Sequence, residues 1–497
     1  NLSKTFKEKF SLDAHIGASI KDNRFDELSV YGPIAGAPNI FNVVNLDKSQ
    51  KKTPKTGWHE QTQSFFYSLE LGWKSQLFVT TTGRNDWASQ LANSPQKSFF
   101  YPSVGVSWLP SSTFNFPEKF NYLKIRASWA SVANPFPREL TIATHPYDDT
   151  ISGWDDKSNY PIGQLYPERT KTWELGFDAR FLHGFTLSAS WYRADTYNQT
   201  FNPNLSASSG YSDIYIQTGH VRNTGVEASL GYDHQWKNWN WNSQFTFSWN
   251  KNKIIELCKE WYNPITEETI TMNRLQISKL GRAKFILKEG GSMGDLYSTT
   301  DLRRDDKGNI EIDEGGNVVV EDNLPDMKLG SVFPDYNLAW RNSVSWKNLN
   351  LGFLVTARIG GIVNSLTQAN MDLFGVSEAT AAARDAGGAL VNGRSLVNPE
   401  TWYTAIASQG GIPQYYTYSA TNVRLQELSL GYTIPRKWLH NICSITVSFV
   451  GRNLWMMYCK APFDPEAVAS TGLNYQGIDY FMMPSVRNLG FNVKFQF

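Results

Sequence analysis

The segment GRNDW, residues 83–87, gathers side chains that could bind a polar ligand. Arg84 and Asp86 offer charge-assisted hydrogen bonds, and Trp87 offers a flat apolar face on which a sugar ring or a peptide side chain could stack. Together with Asn85 they form a first candidate substrate-binding set. The alternative is a structural Arg–Asp clasp that braces a loop, which is the commoner use of such a pair.

The segment FDPEA, residues 463–467, places Asp464 and Glu466 on either side of Pro465. Their carboxylates could contact a substrate or a protein that docks as a lid. Alternatively, Pro465 fixes the backbone and the carboxylates accept local N–H groups, which would make the segment a loop brace. A glycosidase also needs paired carboxylates, but nothing in the sequence positions these two across a scissile bond.

Large aromatic residues outside the regular strand patterns form a third candidate set. Exposed rings can stack on the faces of sugar rings, although packing against a neighbouring loop or a partner protein is their commoner use. The residues concerned are Trp154, Tyr160, Trp261, Trp402, Tyr415 and Tyr416.

Motifs for catalysis are not recognisable in the chain. Its 7 histidines are scattered, without an HExxH motif or a nucleophile elbow, so we predict that the protein is not an enzyme. The 3 cysteines, Cys258, Cys443 and Cys459, have no CxxC spacing, which argues against a disulfide framework and a zinc site.

The segment DLRRDDKGNIEIDEGGN, residues 301–317, has the composition but not the spacing of a calcium-binding loop. Aligning Gly308 with the invariant glycine of such a loop puts Arg303 and Lys307 at ligand positions. The part KGNIEID is more typical of a hairpin turn. We therefore predict no metal ion and no other cofactor.

These candidates are separated by segments whose apolar residues recur at every second position, which is the pattern of a β-strand with two different faces. In the last segment, LGFNVKFQF, Leu489, Phe491 and Val493 alternate with Gly490 and Asn492. We count about fourteen such segments, each about long enough to span a bilayer at a tilt. They lie near residues 12–20, 63–73, 75–83, 99–108, 122–130, 172–181, 185–191, 226–232, 239–249, 338–347, 349–358, 422–432, 443–451 and 489–497.

Composition separates the chain from several protein classes. Aromatic residues make up 14% of it while the mean hydropathy is −0.40, a combination that strands with one lipid face, one wet face and long polar loops would produce. A net charge of +1 without a basic stripe argues against nucleic-acid binding. No segment has the roughly 18 apolar residues of a transmembrane helix, and the first residues lack the apolar core of a secretion signal.

The connections between the predicted strands alternate between short and long. The long ones are 452–487, 359–421, 251–337, 197–224, 133–170, 84–98 and 21–62, with a short turn between each two of them. Outer-membrane barrels have this arrangement, with short periplasmic turns and long extracellular loops. The sequence therefore predicts an all-β protein, a transmembrane antiparallel β-barrel. The alternative is a soluble aromatic-rich β-protein that binds glycans, such as a propeller, but no repeat of fixed period supports it.

A series of segments in a fixed order resembles the C-terminal barrel region of SusC/RagA-like TonB-dependent transporters of Bacteroidetes outer membranes. Several ordered segments are much more specific than a single motif. The segments are TGRNDWASQL (82–91), YPSVGVSWLPSSTF (101–114), LKIRASWASVANP (123–135), PERTKTWELGFDARFL (167–182), VRNTGVEASLGY (221–232), VRLQELSLGYTIP (423–435) and GRNLWMMYCKAPFDPEA (451–467).

The resemblance implies a barrel of about 22 strands, of which residues 1–497 supply about fourteen. The family's N-terminal plug domain, its TonB box and the first strands of the barrel are expected to be absent from this chain. The number of strands missing from this chain would then be even, which implies that the first predicted strand runs outward, toward the extracellular side.

The function that the resemblance implies is energised import of large nutrients, oligosaccharides or peptides, across the bacterial outer membrane. A SusD/RagB-like surface lipoprotein would cover the barrel, and TonB would act through the plug. A dimer of such transporter–lipoprotein pairs is left open. The wall would contact outer-membrane lipid, the long loops would be extracellular, and nucleic acid is not an expected partner. A passive outer-membrane pore is the alternative within the same fold.

Overall fold

The computed structural model describes residues 1–497 except positions 8, 139, 141–146, 149–152, 155–164, 203–214, 218, 264–266 and 473–474. Its main feature is a 15-stranded antiparallel sheet in which each strand pairs with the next one along the chain. The strands are β1 Leu2–Phe6, β2 Phe10–Leu28, β3 Lys55–Trp73, β4 Leu77–Ala88, β5 Phe99–Trp108, β6 Phe120–Asn134, β7 Glu168–Phe181, β8 Phe185–Tyr197, β9 His220–Trp236, β10 Trp239–Glu256, β11 Tyr336–Trp346, β12 Leu349–Ile359, β13 Asn422–Ile434, β14 Ser444–Cys459 and β15 Asn488–Gln496.

The sheet has one apolar and one polar face, because apolar residues recur at every second position of its strands. Near the C-terminal edge, Phe491 lies opposite Phe449, and Phe449 lies opposite Leu430. On the other face, Asn492 lies opposite Ser448. No protein layer formed by the described residues covers the rings of the apolar face, and Phe491 is 80% exposed. Such a face suits contact with lipid rather than with a protein core.

The predicted alternation of short and long connections holds for most of the sheet. Short connections join β1 to β2, β3 to β4, β5 to β6, β7 to β8, β9 to β10, β11 to β12 and β13 to β14, and longer loops join the remaining neighbours, except that the connection between β4 and β5, residues 89–98, is not longer than the one between β5 and β6, residues 109–119. The first long loop is shorter than predicted, 29–54 instead of 21–62, because β2 and β3 each continue for 19 residues. All long loops therefore leave the sheet at one end, which we call the loop end.

The strand β1 was not among the predicted strands. It pairs with β2 through Leu2 opposite Ala14 and Phe6 opposite Phe10. Its apolar positions are interrupted by Lys4, whose Nζ lies 5.1 Å from the centroid of the Phe6 ring. The first predicted strand, residues 12–20, lies within β2 and runs toward the loop end as expected, whereas the additional strand β1 precedes it and runs away from that end.

The long loops contain secondary structure of their own. Between β10 and β11 lies a 4-stranded sheet of Arg274–Leu280, Ala283–Lys288, Asp295–Ser298 and Met327–Ser331. Shorter strand pairs are Tyr147–Asp148 with Gly153–Trp154, Thr200–Phe201 with Ile216–Gln217, Cys258–Asn263 with Glu268–Met272, Asp301–Leu302 with Val320–Glu321, and Ala389–Val391 with Ser395–Val397.

The helices of the described ranges are short. They are α1 Pro110–Thr113, α2 Leu366–Leu373, α3 Glu378–Asp385, α4 Pro399–Ala407 and α5 Pro413–Tyr416, with 3-10 turns at Val43–Asn45, Ser89–Leu91, Ser408–Gly410 and Arg436–Leu439. None of these helices has the length and apolar character needed to cross a bilayer.

Three of the long loops are joined to one another. Strand Ile362–Ser365 pairs in parallel with Ile478–Asp479, which belongs to a different loop. The Ser365 hydroxyl donates to the Asp479 carboxylate at 2.6 Å. A shared buried cluster contains Ala283, Phe285, Leu296, Val332, Leu366 and Ile478. We call the three loops, residues 257–335, 360–421 and 460–487, the loop assembly.

Candidate functional site

The polar face of the sheet borders a cavity of about 560 Å³, which we call the inner cavity. Strands β6 and β8 to β12 form its wall, and the last long loop reaches its edge. A cavity of this size is within the range that holds small ligands or part of a larger one. Its polar lining consists of Arg126, Ser188, Ser190, Glu227, Ser229, Thr246, Ser248, Asn337, Thr356, Arg358 and Glu466.

The inner cavity has space because many side chains along its wall are small and carry hydroxyl groups. Ser188 and Ser190 on β8 lie two positions apart and therefore point to the same face, as do Thr246 and Ser248 on β10. Hydroxyl groups can both donate and accept hydrogen bonds. The wall can therefore replace the water around a ligand that carries many hydroxyl or amide groups.

Arg126 on β6 is held against this wall by acidic residues of β7. Its Nη1 donates to Asp178 at 2.6 Å, and its Nε lies 3.6 Å from Glu174. Asp178 also accepts from the Ser188 hydroxyl at 2.7 Å. These contacts fix the position of the guanidinium and balance its charge.

Asp464 and Glu466 converge on Arg424, a buried residue near the loop end of β13. Arg424 Nη2 donates to Asp464 Oδ1 at 2.8 Å and lies 3.2 Å from Glu466 Oε2. Arg424 Nη1 donates to Asp464 Oδ2 at 3.3 Å, so the pair is bidentate. Ser485 donates to Asp464, and Asn422 Nδ2 donates to Glu466 at 3.3 Å. This geometry favours the interpretation of FDPEA as a brace that holds the last loop to the wall.

The charges of the brace are set by these contacts. Burial by itself would raise the pKa of Asp464, but the hydrogen bonds from Arg424 and Ser485 outweigh it and hold the pKa below its ordinary value of 3.8. Arg424 is only 4% exposed, and the carboxylates around it compensate its charge. Glu466 also lines the inner cavity and interacts electrostatically with Arg358. It connects the brace to the cavity.

The structure divides the GRNDW residues between the two faces of β4. Arg84 and Asp86 lie on the polar face, where Arg84 Nε donates to Asp86 at 2.7 Å and Arg84 Nη2 donates to the Ser64 hydroxyl at 2.8 Å. The Tyr101 hydroxyl also donates to Asp86, which is buried. These contacts are those of a clasp across β3, β4 and β5.

Asn85 and Trp87 lie on the opposite, apolar face of β4, and Trp87 is 48% exposed there. The four residues therefore do not converge on one ligand position. Their role in substrate binding stays a prediction. The contacts that the structure shows for Arg84 and Asp86 are with other residues of the protein.

The aromatic candidates lie in different settings. Trp402 and Tyr415 form an edge-to-face pair with ring centroids 5.9 Å apart, and both are partly buried. Tyr416 is buried among helices α2, α4 and α5, and its hydroxyl donates to Asp372 at 2.9 Å. Burial, with Asp372 next to it, raises the pKa of Tyr416 far above the ordinary value. Tyr416 therefore acts as a packing residue, and ligand contact by it stays a prediction.

The remaining aromatic candidates have side chains that the structure does not describe. Tyr160 is not among the described residues. Trp154 ends the short strand Gly153–Trp154 and Trp261 lies in Cys258–Asn263, but their side chains are not described.

The segment KGNIEID is confirmed as part of a hairpin turn. Arg304 bridges to Ile310, and Asp305 accepts the backbone N–H groups of Lys307 at 2.9 Å and Asn309 at 2.8 Å. Gly308 occupies a left-handed conformation with φ of 82°. Across the described ranges, no three His, Cys, Asp or Glu side chains lie close enough together to hold a metal ion.

Arg424 and Arg126 are site residues that sequence analysis did not identify. Both occur in strand segments of the predicted barrel, VRLQELSLGYTIP and LKIRASWASVANP. The sequence feature that could have identified them is a charged residue on the polar side of an alternating strand. Their partners, Asp464 and Asp178, could be recognised only from the fold.

Comparison with known proteins agrees with this architecture. Residues 1–454 match the family described as TonB dependent receptor-like, beta-barrel. TonB-dependent receptor P3 of Formosa agariphila is 26% identical, over 100% of this chain and 52% of its own length. TonB-dependent receptor SusC of Bacteroides thetaiotaomicron is 21% identical, over 76% of this chain and 38% of its own length.

A solved structure of the RagAB peptide transporter has the same fold. It superposes with a TM-score of 0.76 at 18% sequence identity, over 100% of this chain and 54% of that chain. The chain thus spans about half the length of the relatives that it matches.

These similarities confirm the predicted fold class and the resemblance to SusC/RagA-like receptors. The large sheet, with one apolar and one polar face, is part of the wall of an outer-membrane β-barrel. The soluble β-protein alternative is thereby set aside. Because the family match extends over most of the chain, this protein chain belongs to the TonB-dependent receptor β-barrel family.

Proposed function

We propose that this chain forms part of an outer-membrane importer for large polar nutrients, either oligosaccharides or peptides. The observation that carries the proposal is the inner cavity, about 560 Å³ lined by hydroxyl, amide and charged groups on the polar face of a membrane wall. A passage with this lining suits cargo rich in hydrogen-bonding groups. Peptides are one of the two cargo classes because RagAB, which shares the fold, is described as a peptide transporter.

We further propose that residues 1–497 are the C-terminal part of a barrel of about 22 strands, with the plug domain, the TonB box and the first strands supplied by polypeptide outside this range. In the main sheet, β1 and β15 each pair with only one neighbour among the described strands. A closed barrel has no such edges, so the two open edges support the proposal of further strands between β1 and β15. The family membership and the half-length coverage of the relatives support the same arrangement.

The partners in this proposal follow from the two ends of the wall. The loop assembly would be extracellular and would carry a SusD/RagB-like surface lipoprotein as a lid, and TonB would pull on the plug from the opposite side. The named relative SusC and the RagAB structure support this assignment. A dimer of such pairs fits the same scheme. Trp402, Tyr415 and Glu466 are the proposed contacts for cargo or lid, and no catalytic step is part of the proposal.

The test is to purify the full natural protein from its own outer membrane in detergent and to analyse the intact chain and all associated molecules by mass spectrometry. We expect a longer chain that contains a plug, a surface lipoprotein, and bound oligosaccharide or peptide. Uptake of that cargo by cells should stop when TonB is deleted. Uptake that continues without TonB would overturn the import mechanism and favour a passive pore.

A further inference from the structure

Basic residues occupy neighbouring rows on the apolar face of the sheet, next to its tryptophans and on the side of the loop end. In three strands a basic residue lies beyond a tryptophan in the direction of the loop end. The segments are KTW in β7, WYR in β8 and WNKNK in β10. Each basic residue lies two or four positions from the tryptophan toward the loop end, so both side chains are on the same face. The combinations are Lys171 with Trp173, Arg193 with Trp191, and Lys251 and Lys253 with Trp249.

The strand register joins these cations into one surface. Arg193 lies opposite Trp173, and Lys171 lies opposite Asp195. On the next strand, Arg222 lies opposite both Asp195 and Lys253. The cations therefore occupy neighbouring rows across β7, β8, β9 and β10. We call this surface the outer basic patch, and it consists of Lys171, Arg193, Arg222, Lys251 and Lys253.

The patch contains far more positive than negative charge. Among the described residues, Asp195 is its carboxylate, and it accepts from Arg193 Nε at 2.9 Å and from Arg222 Nε at 2.7 Å. Among the residues that the structure describes, the terminal guanidinium nitrogens of Arg193 and Arg222 have no hydrogen-bond partner, and the two arginine side chains are 41% and 29% exposed. Asp195 thus orients two guanidinium groups without neutralising the surface.

The height of the patch corresponds to lipid headgroups. Two residues along a strand advance about 7 Å, which becomes about 5 Å along the membrane normal at the usual tilt. The headgroup layer begins where aromatic residues end and is roughly 5–7 Å thick on each side. Trp173 and Trp191 are 56% and 37% exposed on the apolar face. Aromatic residues exposed in this way are typical of the hydrocarbon boundary, and Lys171 and Arg193 each lie two positions from the tryptophan of their own strand, on the side of the loop end.

We propose that the outer basic patch binds the phosphate groups of a glycolipid in the outer leaflet of the membrane. This inference rests on the orientation in the proposed function, with the loop end outside. Arginine forks and lysine ammonium groups are suited to phosphate. The tryptophans and the cations are direct neighbours on one face, since Arg193 lies opposite Trp173. A molecule that contacts the cations therefore also contacts the tryptophans. A lipid with apolar chains and an anionic head can make both contacts, whereas a soluble partner would have to enter the bilayer.

The test uses the full natural protein in detergent, with lipopolysaccharide as the probe and the same lipopolysaccharide after removal of its phosphates as the reference. The variant combines Lys171→Gln, Arg193→Gln and Lys253→Gln. The matched control combines Lys74→Gln, Lys237→Gln and Lys347→Gln, which removes the same charge from turns at the opposite end of the sheet. Heat-modifiable migration on a gel verifies that each variant is folded.

We expect the patch variant to weaken binding of lipopolysaccharide by at least about tenfold, and the control variant to change it less than about twofold. Removal of the phosphates should weaken binding to the unmodified protein by a similar factor. A charge-preserving variant, Lys171→Arg with Arg193→Lys and Lys253→Arg, should retain the binding.

Equal binding by the patch variant and the unmodified protein would overturn the proposal. Competition by millimolar inorganic phosphate as effective as that of the lipid would also overturn it, in favour of a free-anion site. So would loss of a co-purifying lipoprotein with unchanged lipid binding, because the patch would then be a protein-docking surface. Lipid binding and cargo uptake are measured separately, so failure of the import function would be seen as lost uptake alone.

Discussion

Arg424 on β13 and Asp464 in the last long loop form a bidentate ion pair between positions 40 residues apart, with Arg424 Nη2 at 2.8 Å from Asp464 Oδ1. Their side chains are 5% and 8% exposed, so water cannot replace either partner. The pair is the main polar attachment of that loop to the barrel wall. Its energetic weight can therefore be tested with single substitutions.

The substitution Asp464→Asn should destabilise the protein by about 1.5–3 kcal/mol, because the buried Arg424 loses its bidentate carboxylate partner and retains only the Glu466 carboxylate. The measurement is urea-induced unfolding of the full protein reconstituted in lipid vesicles. The matched control is Glu427→Gln, since Glu427 pairs with Arg452 at 3.2 Å but Arg452 is 66% exposed. The control should cost less than about 1 kcal/mol. Equal costs would show that the buried pair is not an anchor.

The anchor should also depend on pH. Because the folded-state pKa of Asp464 lies below its ordinary value of 3.8, the stability that it contributes is fully present above that pH and is lost as the pH falls through the lowered pKa. We expect hydrogen-exchange protection of residues 461–468, corrected for intrinsic rates, to decline below about pH 4. In Asp464→Asn the protection should be lower and nearly independent of pH. Constant protection in the unmodified protein would contradict the assignment.

The Arg84–Asp86 clasp can be separated from a substrate contact. Asp86→Ala should cost about 1.5–3 kcal/mol, because Arg84 and Tyr101 lose a charged acceptor. The matched control is Asp26→Ala, which breaks a pair of the same sequence spacing, Arg24 to Asp26 at 2.8 Å, with side chains 72% and 48% exposed. It should cost less than about 1 kcal/mol. Loss of cargo affinity in Asp86→Ala without any loss of stability would instead support the binding role.

Close packing across the polar face is testable at a glycine. A Cβ at Gly225 would lie 2.4 Å from Cζ of Tyr192 and 2.7 Å from the Trp249 carbonyl oxygen, whereas a Cβ at Gly105 would lie 3.9 Å from its nearest neighbour. Gly225→Ala should therefore cost about 1–3 kcal/mol and lower the folded fraction seen by heat-modifiable migration. Gly105→Ala should remain within about 1 kcal/mol of the unmodified protein. Similar folded fractions would indicate that β8 and β9 can separate to accept a methyl group.

The strands of the wall were largely predictable, because each membrane-facing strand carries its own face pattern. Trp239, Trp241 and Phe245 share one face of β10, and the structure keeps them there opposite Trp346, Val344 and Trp340. β1 was missed because Lys4 interrupts its apolar positions. The division of GRNDW between two faces could have been predicted from the same alternation, because Arg84 and Asp86 must point away from Asn85 and Trp87 on an extended strand.

The site contacts were less predictable for a physical reason. Alternation fixes the face of a side chain but not the path of a loop, so the approach of Asp464 to Arg424 depends on where residues 460–487 return to the wall. The strands inside the loops, such as Arg274–Leu280 and Ala283–Lys288, were missed as well. Ala283–Lys288 is mostly buried within the loop assembly and Arg274–Leu280 is only partly exposed, and neither strand has a membrane-facing side with the pattern of the wall strands.

The parallel pairing of Ile362–Ser365 with Ile478–Asp479 has a mechanical consequence. These strands belong to loops that leave different parts of the wall, and the buried hydrogen bond from Ser365 to Asp479 crosses between them. One loop cannot swing away alone without breaking buried backbone pairing. We therefore expect the three loops to move together when this end of the barrel opens, because their buried cluster is shared.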